Sequence, residues 1–125
     1  MALKAQIAMV IDDDPDFTHL LATILEARKI YTMEAHSLPE AEEYLNILKP
    51  AIVFIDNSFP EGLGINFIPI IKMIDEKIKI VMITADSAAW VKEKACMENI
   101  NYFIYKPFTV KMINSIIDKL EMGKM

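Results

Sequence analysis

Three consecutive acids, Asp12, Asp13 and Asp14, directly follow one apolar run, and a fourth, Asp56, directly follows another. If those two runs are neighbouring strands, about 4.8 Å apart, then Asp12, Asp13 and Asp56 converge on one point. Like charges 4 Å apart repel by about 4 kcal/mol per pair at an effective dielectric near 20, so something positive must sit among them. A hard divalent cation answers this, and Mg2+ takes one or two carboxylates, several waters and a phosphate oxygen. Lys106, immediately before Pro107, adds a fixed positive charge. Three carboxylates, one Mg2+ and one ammonium cancel, which leaves a site able to receive a dianionic phosphoryl group. Phosphoryl transfer asks a protein mainly for positioning and charge neutralisation. A carboxylate can itself be the nucleophile, giving an aspartyl phosphate. Thr84, followed by Ala85 at the end of a further apolar run, brings a hydroxyl that can donate to a phosphoryl oxygen.

Those residues need elements that end where they stand. Residues 7–11, 51–55, 78–83 and 102–105 are strand-length apolar runs rich in β-formers, with a weaker one at 30–35. Between them apolar residues fall at helical spacing: Phe17, Leu20, Leu21, Ile24 and Leu25, then Ala41, Tyr44, Leu45 and Leu48. The pattern returns with Phe67, Ile70, Ile71 and Ile74, and with Val110, Ile113, Ile116, Ile117 and Leu120 ahead of a helix end near Met122. A less clearly striped helix covers about 87–97. Asp14 before Pro15 reads as an N-cap with a first-turn proline, and Ser37 with Glu40 has capping-box spacing. Pro69 requires its helix to begin a few residues earlier. Five strands alternating with five helices predict an α/β fold, a doubly wound five-stranded parallel sheet whose continuously apolar strands are buried on both faces. Ligands in such sheets bind beyond the carboxyl ends of the strands, where the acids, Thr84 and Lys106 stand.

Composition removes several function classes. At 125 residues the chain is about 0.8 of a typical domain, which argues for one core. With 54% apolar and 25% charged residues it has enough apolar material to fold rather than remain disordered. A net charge of −5 without a basic cluster argues against direct nucleic-acid binding. The single cysteine, Cys96, forms no internal disulfide and fits a reducing cytoplasm, and no apolar run is long enough for a membrane span or a signal core.

Taken together, Asp12-Asp13, Asp56-Asn57-Ser58-Phe59-Pro60-Glu61-Gly62-Leu63-Gly64, Thr84-Ala85 and Lys106-Pro107-Phe108 resemble the receiver domain of bacterial response regulators. Each piece alone is weak; the ordered set at successive strand ends is specific and spans almost the whole chain. The resemblance implies a flavodoxin-like (βα)5 fold with strand order 2-1-3-4-5, and one receiver domain over 1–125 with no output domain. It implies that Asp56 accepts a phosphoryl group from a phosphohistidine on a sensor histidine kinase or a histidine phosphotransfer protein. Asp13 and Asp56 would ligate Mg2+ directly, Asp12 through water, and the Ser58 backbone carbonyl would complete the set. Thr84 and Lys106 would hold the phosphoryl oxygens. Thr84 would then shift and Phe103 turn inward, changing the face of the fourth helix, fifth strand and fifth helix, where a downstream protein binds. Such a domain is a signalling switch, catalysing only its own phosphorylation and slow dephosphorylation, and a phosphorylation-dependent dimer is left open. Phe59, Glu61 and Asn99-Ile100-Asn101 depart from the common pattern, while Ser58 and Asp86 fall at positions the family varies to tune phosphoryl lifetime.

Plainer roles compete for individual residues. Asp14 reads as a cap and Asp16 as a complement to the helix dipole. Asp86 either orients water or caps the next helix, Thr84 alone fits an ordinary turn, and Lys106 alone a solvated lysine. His19 and His36 read as surface or boundary residues, Trp90 and Tyr105 as output-face or packing residues, Cys96 as a small buried or half-buried apolar residue. Two other functions stand against the switch. A haloacid-dehalogenase-like phosphatase would use Asp12 as nucleophile with Asp14, but it needs an acidic pair after the lysine where only the separated Asp118 and Glu121 occur. A phosphorylation-silent interaction module would not need the full set of Asp12, Asp13, Asp56, Thr84 and Lys106.

Overall fold

A computed structural model describes residues 6–120 and residue 122. The apolar runs become strands β1 (Gln6–Ile11), β2 (Ile30–Ala35), β3 (Ile52–Ile55), β4 (Lys79–Thr84) and β5 (Tyr102–Tyr105), numbered along the main sheet alone. They form one parallel sheet in the order β2-β1-β3-β4-β5, as the resemblance implied. Helices α1 (Pro15–Ala27), α2 (Leu38–Ile47), α3 (Ile68–Ile74) and α4 (Ala89–Met97) make the four crossovers between these strands, and α5 (Val110–Lys119) follows β5. A two-residue hairpin, Ser58–Phe59 against Gly62–Leu63, leads into a 3-10 turn at Gly64–Asn66. Among the described residues no helix is long and apolar enough to cross a membrane.

Strand residues alternate between two cores, as a period of two demands. Met9, Ile11, Val53, Ile55, Ile80 and Met82 pack under α2, α3 and α4. Ala8, Val10, Ile52, Phe54, Val81 and Ile83 pack under α1 and α5. Burial on both faces explains the unbroken apolar runs of β1, β3 and β4. The outer strands depart from that expectation: β5 is half-buried to exposed throughout, and β2 exposes Tyr31 at 57%.

Cap chemistry sets most helix starts. Asp14 accepts the Asp16 N–H at 3.0 Å ahead of Pro15, as its position suggested. Ser37 accepts the Glu40 N–H at 3.1 Å, but the reciprocal half of the box is different: the Glu40 carboxylate takes the His36 N–H at 2.8 Å. The Leu38 N–H goes instead to Glu61 from the hairpin, at 2.7 Å. Helix α3 begins one residue before Pro69, because the 3-10 turn occupies the positions assigned to an earlier start. Helix α5 ends at Lys119, three residues short of Met122.

Four stripe or core assignments are corrected. Leu20, Leu48 and Val110 are 53%, 42% and 54% exposed. On α1 the buried arc is displaced because Thr18 is fully buried, its hydroxyl within hydrogen-bond reach of Pro15 O, Glu34 Oε1 and His36 Nε2. Cys96 is exposed, since α4 buries Val91 and Ala95 and the next residue lies a hundred degrees around the helix. His19 and His36 are exposed, in line with their surface reading.

Candidate functional site

The acids are fixed by ladders that run one residue past the strands. Asp12 N–H donates to Ala35 O and Asp56 N–H to Ile11 O, both at 3.0 Å, and Lys106 N–H donates to Thr84 O at 2.9 Å. Asp12, Asp56 and Lys106 are therefore each the first residue beyond a strand, with the backbone still held by the sheet, while Thr84 is the last residue of β4. One carboxylate oxygen from each of Asp12, Asp13 and Asp56 lies within 4.8 Å of the other two.

Lys106 bridges two of these acids. Its Nζ donates to Asp12 Oδ2 at 2.7 Å and to Asp56 Oδ2 at 3.2 Å. Asp12 Oδ1 accepts the Asp14 N–H, and Asp56 Oδ1 accepts the Asn57 N–H at 2.6 Å. Burial pushes the Asp12 carboxyl above its ordinary pKa of 3.8, and the bonds from Lys106 and Asp14 only partly offset this. Burial also works against the Lys106 ammonium, but hydrogen bonding and charge attraction from Asp12 and Asp56 outweigh it and hold its pKa above 10.5. The pocket thus carries more negative charge than one ammonium balances. All its convergent ligand atoms are hard carboxylate oxygens, two buried and one, on Asp13, exposed to solvent. That donor set fits Mg2+ with water completing the shell.

Around the acids, the loops lock onto one another. Gly64 is required by close approach: a Cβ there would lie 2.0 Å from the Asp56 carbonyl oxygen, and its N–H donates to Asn57 O at 2.7 Å. Fully buried Asn57 accepts the Ile65 N–H on Oδ1 at 2.9 Å and donates from Nδ2 to Asp86 Oδ2 at 3.2 Å. Buried Thr84 accepts the Asp86 N–H at 3.1 Å on its hydroxyl oxygen. Asp86 Oδ1 in turn accepts the Ala88 N–H, a turn role next to the start of α4. Ser58 lies exposed on the hairpin, and half-buried Phe103 sets its ring edge-on to Tyr105 with centroids 5.2 Å apart.

The structure therefore gathers Asp12, Asp13, Asp56 and Lys106 at one point, with the Thr84 carbonyl accepting the Lys106 N–H, while Asp14 stays as the N-cap of α1 and Asp16 in its first turn. Two contributors escaped the sequence reading. Asn57 stands in the sequence as one member of the motif after Asp56; its signal is an amide directly after an apolar strand and an acid. Phe17 was read as helical stripe, yet its ring centroid lies 4.2 Å from Lys106 Nζ and 5.4 Å from the Phe108 ring.

Comparison with known proteins agrees with this geometry. The model of the response regulator receiver domain matches residues 8–118. Response regulator protein PilR of Pseudomonas aeruginosa is 25% identical over 115 residues, 92% of this chain and 26% of that protein. Heme response regulator HssR of Staphylococcus haemolyticus is 30% identical over 103 residues, 82% of this chain and 46% of that protein. The chain thus spans between a quarter and a half of these two relatives. Among solved structures, the beryllofluoride-activated NtrC4 receiver domain dimer superposes with a TM-score of 0.84 at 29% identity, covering 90% of this chain and 93% of that one. A family match over nearly the whole chain, on a sheet whose strand ends gather the expected acids, places this protein in the response regulator receiver domain family.

Proposed function

We propose that Asp56 is the phosphoacceptor of this receiver and takes its phosphoryl group from a phosphohistidine on a sensor histidine kinase or phosphotransfer protein in the cytoplasm. The observation that carries this is the placement of Lys106 across Asp12 and Asp56, with Asp13 within ligand distance. In the transfer a carboxylate oxygen of Asp56 forms the new O–P bond as the P–N bond to imidazole breaks, and the imidazole keeps the electron pair. Asp13, Asp56 and the Ser58 carbonyl would hold Mg2+, with Asp12 acting through water, and the ion would supply charge neutralisation there. Lys106 follows the charge onto one phosphoryl oxygen, and the Thr84 hydroxyl donates to another. Drawing Thr84 inward pulls on the Asp86 N–H it accepts, and so on the start of α4. Phe103 answers by turning in. The exposed Trp90, Tyr105 and Val110 on α4, β5 and α5 then present a changed face to a downstream protein. That one of its structural relatives is a beryllofluoride-activated dimer supports both the acyl-phosphate chemistry and a dimer that depends on it. The domain is a switch rather than a turnover enzyme.

Intact mass after treatment with acetyl phosphate and Mg2+ tests the reading. One added phosphoryl group is expected, absent in Asp56→Asn and absent without Mg2+. A native chain left unmodified under conditions that label a control receiver overturns it.

A further inference from the structure

Among the described residues the Lys106 ammonium has three partners, two of them anions. Asp12 Oδ2 and Asp56 Oδ2 accept from it at 2.7 and 3.2 Å, while the Phe17 ring lies 4.2 Å away, well inside cation–π range. That ring is itself held: Phe108, two residues beyond the lysine, meets it edge-on at 88° with centroids 5.4 Å apart. Lysine and ring are thus clamped from the same short segment, 106–108 on one side and α1 on the other.

We propose that Phe17 is a positioning residue for the phosphorylation reaction, its ring face keeping the Lys106 ammonium at the acidic pocket while Mg2+ engages the carboxylates that otherwise hold it. The argument is one of competition. Asp12 and Asp56 serve both the lysine and the metal, so metal binding weakens the lysine's anionic tethers just when its charge is needed for the phosphoryl group. An aromatic face neither ligates Mg2+ nor titrates, so its hold on the ammonium survives. Because Lys106 is a flexible four-carbon chain with a compact charge, losing one of three partners lets the ammonium move out into water.

This inference rests on the phosphoacceptor reading for its rate measurement but not for its spectroscopic one. Phe17→Leu keeps an apolar side chain against Phe108 and loses the quadrupole; Phe17→Tyr keeps both. In 1H–13C spectra of the wild-type chain, the Lys106 Cε methylene, assigned by its loss in Lys106→Arg, is expected upfield of the other lysines through the ring current. It should stay there at saturating Mg2+. The shift should persist in Phe17→Tyr and vanish in Phe17→Leu. Phosphorylation from acetyl phosphate at saturating Mg2+ should slow by about three- to thirtyfold in Phe17→Leu and stay close to the wild-type rate in Phe17→Tyr. A Lys106 methylene that returns to the position of the other lysines when Mg2+ is added to the wild-type chain overturns the proposal, whatever the variants do. So does a Phe17→Leu chain that is phosphorylated at the wild-type rate. If the wild-type chain takes no phosphoryl group while the ring-current result holds, the phosphoacceptor reading fails and the Phe17–Lys106 contact stands.

Discussion

The two ends of the sheet hold the same pair of residue types and treat them in opposite ways. At the amino end Lys49 and Asp75 form an ion pair at 3.2 Å with side chains 57% and 27% exposed, beside a cleft of about 570 Å3 lined by Gln6, Pro50 and Lys79 among others. At the carboxyl end Lys106 meets Asp12 at 2.7 Å with the Asp12 side chain 1% exposed. The Asp75 carboxyl sits below its ordinary pKa, first because the Lys77 N–H donates to it and then because Lys49 does. The Asp12 carboxyl sits above it, because burial outweighs what Lys106 returns. A roomy cleft with a solvated ion pair is relaxed as it stands. A crowded rim with a charge held against its own solvation is waiting for another cation, and that is where the chemistry lies.

Exchanging the two lysines for alanine should break the comparison most visibly. Lys106→Ala is expected to slow phosphorylation from acetyl phosphate by about 10²- to 10³-fold, the cost of removing one preorganised donor from a developing charge. Lys49→Ala should leave that rate unchanged and change stability little, since its pair is open to solvent. Similar rates for the two variants would remove the distinction between the ends. Asn57→Ala comes next. The Ile65 N–H that it satisfies is buried, so urea denaturation should show a loss of about 1–3 kcal/mol. A variant as stable as wild type would mean that water reaches this loop after all.

How far the sequence carried these conclusions depends on the kind of physics involved. The sheet, its four crossovers and the acids at its rim were legible because strand burial on both faces leaves unbroken apolar runs, and because Asp12, Asp56 and Lys106 stand one position past them. Side-chain partnerships were less visible. Glu40 reached past Ser37 to His36, and Glu61 took the Leu38 N–H that the capping box left over, because the hairpin delivers a competing carboxylate from 23 residues away. Leu20 and Cys96 were misplaced because an apolar side chain carries no label for which side of its helix faces inward. Thr18, polar yet fully buried, shifted the α1 stripe in a way periodicity alone does not register. Asn57 and Phe17 act through contacts with Asp86 and Lys106, 29 and 89 positions away, which only the fold brings together.

Metal binding sharpens the comparison at a smaller scale. Mg2+ at ten times its dissociation constant should stabilise the folded chain by about 1.4 kcal/mol, read as a rise in melting temperature. The rise should survive Asp75→Asn and disappear in Asp13→Asn. An unchanged melting curve at millimolar Mg2+ would leave the excess negative charge of the rim without its counterion.

The smallest effect is the most discriminating, because it turns on sign. Asp12 has a folded pKa above 3.8, so between 3.8 and that raised value the folded chain binds more protons than the unfolded one. Metal-free stability attributable to Asp12 therefore falls as pH rises through that window and stays reduced at neutral pH. Asp75 has a folded pKa below 3.8, so its contribution is present above 3.8 and is lost as pH falls through the lowered value. Without Mg2+, Asp12→Asn should then raise stability at pH 7, on the order of 1 kcal/mol, since the amide avoids the cost of burying an incompletely balanced charge. Asp75→Asn should lower it. Adding Mg2+ should reverse the order for the first pair only, the wild-type chain gaining what Asp12→Asn can no longer fully collect. Denaturation curves with and without Mg2+ at pH 7 read all four differences, and an Asp12→Asn chain less stable than wild type in the absence of metal would show that Lys106 alone already balances the rim.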